Sequence, residues 1–257
     1  MMLVGGCGSG KTVTLANLLL REDFYRGIFD HVELVSPTAK NDDSMSPLLA
    51  SKGIRHHSLL TDDLILRLLA EQDSRVEKAV EDGKKPAETL WVLDDSLGSE
   101  SFGPRSPLSK LIAQHRHHHL SIIVAGQLYK FCPPVLRANL TSLLVWHLSD
   151  GEIKKLVDEW GGTFPRLPEL LSYATREKYS FLNLRMRGGH EARVRFDGPL
   201  IWSSDDRYSD EFKTTSRLGK LQHQAPERVP APAGAAASEP AGVPVSARQR
   251  APEAAKK

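Results

Sequence analysis

The stretch Gly5-Gly6-Cys7-Gly8-Ser9-Gly10-Lys11-Thr12 constrains this chain more than any other. It reads G-x-x-x-x-G-K-T, the phosphate-cradling loop of nucleoside-triphosphate enzymes. The apolar run Met1-Met2-Leu3-Val4 precedes it, and the helix-like run 13–20 follows. That is the strand–loop–helix setting the motif requires. Gly5, Gly8 and Gly10 allow backbone angles that side chains would block. The backbone N–H groups can then turn inward and form an anion-binding concavity. The N-terminus of the following helix adds partial positive charge. In this pattern Lys11 reaches the terminal phosphates and the Thr12 hydroxyl ligates Mg²⁺. The bland alternative is a glycine-rich turn that merely joins strand to helix. The strand before the loop is only four residues long, so a true start further upstream stays open.

Further along, apolar runs and helical spacings alternate. Residues 28–35 read as a second strand, closed by Ser36-Pro37-Thr38, because proline cannot continue a central ladder. Residues 41–47 are polar and loop-like, and 54–59 form a short strand. The spacing of Leu64, Ile65, Leu68, Leu69, Val76 and Val80 predicts a helix over 62–82, capped by Thr61-Asp62. Thr89-Leu90-Trp91-Val92-Leu93-Asp94-Asp95 is a continuous apolar run closed by two carboxylates, as in a strand buried on both faces of a parallel sheet. Residues 108–117 read as a helix, and Leu120 to Gln127 as another buried strand with a polar end. A short helix follows Pro133-Pro134, where proline is tolerated in the first turn. Then come a strand over 142–147 and helices over 150–160 and 167–175. Residues 179–186 and 191–196 flank Arg187-Gly188-Gly189-His190, a hairpin pattern.

Strands alternating with helices imply an α/β fold, a mostly parallel sheet with helices on both faces. Ligands of such sheets sit beyond the carboxyl ends of the strands. The stretches at 5–12, 94–95 and 127 each follow an apparent strand, so their chemistry gathers at one edge. The ordered domain is expected over residues 1–215. Residues 216–257 are Ala/Pro-rich and expected to be a disordered tail that cannot bury a core.

Composition adds limits. No apolar run approaches the roughly 20 residues that span a bilayer, and no signal peptide opens the chain. The net charge of +2 argues neither for nor against nucleic acid, which would need a local basic patch. The two cysteines, Cys7 and Cys132, suit a reducing intracellular compartment.

The polar residues take roles by position. Asp94 would accept the water shell of Mg²⁺, a hard cation that keeps several waters. Asp95 would polarise the attacking water. Gln127 would contact the terminal phosphate or orient that water. An arginine from a neighbouring subunit would neutralise transition-state charge; Arg116 is the first choice and Arg137 the second. A solvated surface arginine is an equal alternative for each. His115 and His119 would share a helix face but have no acidic or thiol partner close in sequence, so the pattern falls short of a zinc site. Arg185, Arg187, Arg193 and Arg195 would give the hairpin a cationic face suited to a phosphate backbone. A merely solvated face is the alternative.

These blocks together resemble a known family. The order G-G-C-G-S-G-K-T, then L-W-V-L-D-D, then Q-H-R-H-H-H-L-S-I-I-V-A-G-Q-L-Y-K-F-C-P-P-V-L-R-A-N is similar to the poxvirus-type DNA-packaging ATPases of the FtsK–HerA branch. The likeness covers roughly residues 1–185. It implies a RecA-like three-layer P-loop (ASCE) fold. It implies a ring-shaped homo-oligomer that binds ATP and Mg²⁺ and drives double-stranded DNA into a capsid through capsid or portal-vertex partners. The location it implies is host cytoplasm, viral factory or virion, away from any membrane. By the same resemblance Gln127 is the sensor and Arg116 the finger. Asp95 stands where most of the wider branch has Glu. A small GTPase, a nucleotide or small-molecule kinase and a non-hydrolysing scaffold are the rivals. Asp95-Ser96-Leu97-Gly98 fits D-x-x-G, but no Asn-Lys-x-Asp follows to read guanine.

Overall fold

The computed structural model describes residues 1–204. The tail expected over 216–257, and the domain boundary set at 215, lie outside the described residues. Among those described, nine strands form one sheet in the order β3-β2-β4-β5-β1-β6-β7-β8-β9. Strands β1 (Met2–Val4), β2 (His31–Val35), β3 (Ile54–His57), β4 (Thr89–Asp94), β5 (Leu120–Gly126) and β6 (Ser142–Val145) run parallel. Strands β7 (Leu182–Arg185), β8 (Glu191–Val194) and β9 (Leu200–Ser203) extend the sheet as an antiparallel wing.

The apolar runs explain this order. Every residue of β1 and β4 is buried, which only a strand covered on both faces achieves. Trp91 and Leu93 enter one core with helices α3 (Asp62–Glu81), α4 (Pro107–Gln114), α6 (Asp150–Trp160) and α7 (Leu167–Ala174), and with the short α5 (Pro134–Ala138). Leu90 and Val92 enter the other core with α1 (Lys11–Leu20) and the short α2 (Ser46–Leu49). The alternation of side chains along a strand thus fixes a sheet between two helical layers. On the α1 side an aromatic column runs from Trp146 through Phe181 and Phe196 to Phe24, with ring centroids 4.6, 5.2 and 5.3 Å apart.

Several boundaries differ from the sequence reading. The stretch 41–47 is not plain loop: it carries 3₁₀ turns and enters α2. The helix after Pro107 stops at Gln114, and His115–His118 tighten into a 3₁₀ turn. The strand behind it accounts for this. The His118 carbonyl accepts from Gln72 Nε2 of α3 and the His119 carbonyl from the Thr89 amide of β4, which locks the chain onto both before β5 begins. His119 is left-handed at φ 50°, so the expected shared helix face of His115 and His119 does not exist. The hairpin strands are shorter than read because Tyr179 and Arg195 have φ of 65° and 55°, outside the extended region. Strand β9 was not foreseen.

Candidate active site

The phosphate loop leaves β1 at the carboxyl edge of the sheet, with the Gly5 amide donating to the Gly126 carbonyl at 3.3 Å. Two of its glycines meet the conformational need: Gly8 and Gly10 have φ of 70° and 102°. Gly5 does not share that reason, which corrects the sequence reading. It is needed for space, since a Cβ there would lie 2.6 Å from Trp146 Cβ and 2.9 Å from Ser9 Oγ. Gly6 and Cys7 are exposed on the outer turn. Gly5→Ala is therefore expected to destabilise the protein by about 1–3 kcal/mol through overpacking, read as a lowered Tm.

Gly10 occupies the cap position of α1 without any side-chain cap, and no acidic residue sits in the first turn. The helix thus presents its N-terminal amides and dipole to an external anion. Lys11 is buried, and its ammonium donates to the Gly5 and Gly6 carbonyls at 2.8 and 3.0 Å. Burial lowers its pKa, while the carboxylates of Asp95 and Asp94 pull it back up. The lysine is held inside the loop in sight of both acids.

Strand register brings the acids there. Asp94 is level with Ala125 on β5, and Ala125 is level with Leu3 on β1. The second motif therefore stands two strands away, roughly 10 Å at the usual strand spacing. Asp94 is 4% exposed and accepts a hydrogen bond from Ser36 Oγ at 3.0 Å. Burial, then the neighbouring Asp95, push its carboxyl up to about 6 from 3.8. Folding therefore retains a proton there between roughly pH 4 and 6. The stability tied to this group is greatest below pH 4 and declines as pH rises to 6. At neutral pH the ionised Asp94 costs the ligand-free fold on the order of 2–3 kcal/mol. Asp94→Asn, which keeps an acceptor for Ser36, is expected to raise the Tm of ligand-free protein at pH 7.5. At pH 4 it should give little or no gain.

Asp95 turns away from the strand at φ 47°, an angle that Asp tolerates better than most residues. Its amide still bonds the Ala125 carbonyl at 3.1 Å, and its carboxylate is half-buried at the site. Gln127 follows β5 directly and is exposed. Thr12 is half-buried in the first turn of α1. Among the described residues no cluster of three or more His, Cys, Asp or Glu could hold a metal by itself. The donors present are the Thr12 hydroxyl and the Asp94 carboxylate. Such a set suits a hard cation completed by phosphate oxygens and water, the habit of Mg²⁺.

The two arginines do not join this group. Arg116 is exposed at the amino end of β5, beside a cleft of about 520 Å³ lined by Leu90, Ile112, Leu120 and Leu140 among others. The seven residues of β5 put it about 20 Å from Gln127, on the opposite edge of the sheet. Arg137 is tied down. Its guanidinium pairs with Glu159 at 2.8 Å and lies over the Tyr129 ring, whose hydroxyl also donates to Glu159. The hairpin arginines are partly neutralised, since Glu191 lies within 3.7 Å of Arg185 and 3.4 Å of Arg193.

Sequence reasoning missed Ser36 and Trp146. Ser36 closes β2 at the carboxyl edge, so the rule that assigned Gln127 applies to it equally. Trp146 closes β6 in the same way and forms the floor of the loop.

The family model described as "Poxvirus A32 protein" matches residues 1–160, well over half of the chain. The chain belongs to the poxvirus A32 protein family. Its curated relatives include the DNA packaging protein OPG160 of Monkeypox virus and of Vaccinia virus (strain Copenhagen). Each is 27% identical over 164 residues, 61% of this chain and 50% or 56% of theirs. The chain thus spans about half the length of the curated relatives it matches. Among solved structures it is similar to the genome packaging NTPase B204 from Sulfolobus turreted icosahedral virus 2. The complex with AMP gives a TM-score of 0.56 at 12% identity, over 75% of this chain and 94% of that one. The complex with ATP-gammaS gives 0.53 at 15%, with the same coverage. EssC from Geobacillus thermodenitrificans gives 0.51 at 16%, over 87% of this chain and 44% of that one. These likenesses establish the fold: this A32-family chain shares the α/β architecture of those solved proteins.

Proposed function

We propose that this chain is an ATP-hydrolysing motor that moves double-stranded DNA, packaging a viral or virus-like genome into a capsid as a homo-oligomeric ring. The observation that carries this reading is the division of its machinery between two edges of one sheet. The phosphate loop, Asp94, Asp95 and Gln127 stand at the carboxyl edge, and Arg116, without an ion pair among the described residues, stands at the amino edge. A ring of identical subunits brings the two edges together. The names of the curated relatives support the DNA-packaging side of the reading. Solved neighbours in complex with AMP and ATP-gammaS support the nucleotide side. Among the described residues no helix is long and apolar enough to cross a membrane.

In this reading the loop amides and Lys11 hold the β and γ phosphates. Thr12 and Asp94 hold Mg²⁺, which supplies charge neutralisation on the phosphate oxygens when bound. Asp95 takes the proton of the attacking water, and Gln127 orients that water toward the terminal phosphate. The Arg116 of a neighbouring subunit meets the charge that develops as the bond breaks.

The test is an ATPase assay with and without duplex DNA, beside a mass measurement of the assembled species. Stimulation by DNA in an oligomer supports the motor. Hydrolysis untouched by DNA in a lone subunit counts against it. Lys11→Ala is expected to remove nucleotide binding, measured by calorimetry, because the loop then loses its only side-chain cation.

A further inference from the structure

We infer that Tyr179 is the platform on which the base of the bound nucleotide stacks. The inference rests on the nucleotide-binding reading above and gives that ligand its second point of attachment. It starts from topology. Strand β7 runs antiparallel to β6, so residue 182 pairs with residue 145 at the carboxyl edge of the sheet. The chain arriving from α7 must therefore pass the mouth of the phosphate loop just before β7 begins.

Tyr179 stands at that crossing. Its ring carbon Cδ1 lies 3.4 Å, and its Cβ 3.6 Å, from where a Cβ on Gly10 would be. Gly10 is the junction of loop and helix, part of the backbone that cradles the α and β phosphates. Despite that contact Tyr179 is 57% exposed. Lys178 Nζ lies over the ring, 4.8 Å from its centre.

The position is also held. Tyr179 adopts φ 65°. The next two residues are buried, and Phe181 packs on Trp146 at 4.6 Å. Trp146 is the floor beneath Gly5, and its Nε1 lies 3.8 Å from the Gly10 Cβ position. Loop and tyrosine are thus fixed to the same buried indole. Such rigidity is what a stacking surface needs if it is to add affinity without first being ordered. Stacking is sequence-tolerant because every base has a π-face, so Tyr179 adds affinity and orientation without choosing the base.

The test separates base from phosphates. Mg²⁺-dependent binding of ATP and of inorganic tripolyphosphate is measured by calorimetry for wild type, Tyr179→Ala and Tyr179→Phe. The expected result is an ATP affinity about tenfold weaker in Tyr179→Ala, the scale of one base–aromatic stack. Tripolyphosphate affinity should be unchanged, and Tyr179→Phe should match wild type for both ligands. Equal weakening of both ligands, or weakening of neither, overturns the stacking role. A wild-type protein that binds neither ligand instead overturns the nucleotide reading itself, and the stacking role with it.

Discussion

Replacing Arg116 with alanine is expected to slow ATP turnover by about 10³-fold or more while nucleotide binding stays near the wild-type level. Arg116 is exposed, forms no ion pair among the described residues, and stands a whole strand length from the loop of its own subunit. It cannot serve that loop, so any effect on turnover must cross to another subunit. Mixing settles the point. Arg116→Ala subunits keep a working loop, and Lys11→Ala subunits keep a working arginine. A mixed assembly therefore regains part of the activity that each lacks alone. A mixture as inactive as its components, in assemblies of wild-type size, would remove Arg116 from the reaction. Arg137 is the control. It is already neutralised by Glu159, so Arg137→Ala is expected to act through stability, and Glu159→Gln should act alongside it.

Asp95→Asn gives the second large effect. Loss of a positioned base is expected to slow hydrolysis by about 10²–10⁴-fold, with ATP affinity retained because the loop, Lys11 and Thr12 are untouched. Single-turnover hydrolysis beside equilibrium binding separates the two quantities. The contrast with Asp94 is instructive. Asp94 is buried and bonded to Ser36, whereas Asp95 turns out of the strand into a half-exposed position. In the proposed reaction the first would hold the cation and the second would meet water. An Asp95→Asn protein that hydrolyses ATP at the wild-type rate would sink the assignment.

The parts of this design that sequence could reveal are those set by short-range chemistry. Residues 89–94 and 120–126 read as buried strands because burial on both faces demands unbroken apolar runs. The loop read as a loop because glycine, lysine and threonine at that spacing do one job. Contacts between distant segments were invisible. Ser36 and Asp94 are 58 residues apart, and nothing local in Ser36-Pro37-Thr38 announces the bond. The need for glycine at position 5 comes from Trp146, far along the chain. The end of the helix at Gln114 is set by the docking of Gln72 and Thr89 onto the turn that follows, an interaction no helical periodicity encodes. Strand β9 is four residues long, and its main signal is an edge offered by β8.

The column of rings from Trp146 to Phe24 has a mechanical meaning. Close-packed aromatic groups resist compression, so the floor of the loop, the end of α1 and the outer strands travel as one block. In the proposed reaction, strain raised when a phosphate leaves would pass instead to the turns that carry Asp95 and Gln127. The stiff half would then serve as the anvil, and the stroke of the proposed motor would belong to the other half.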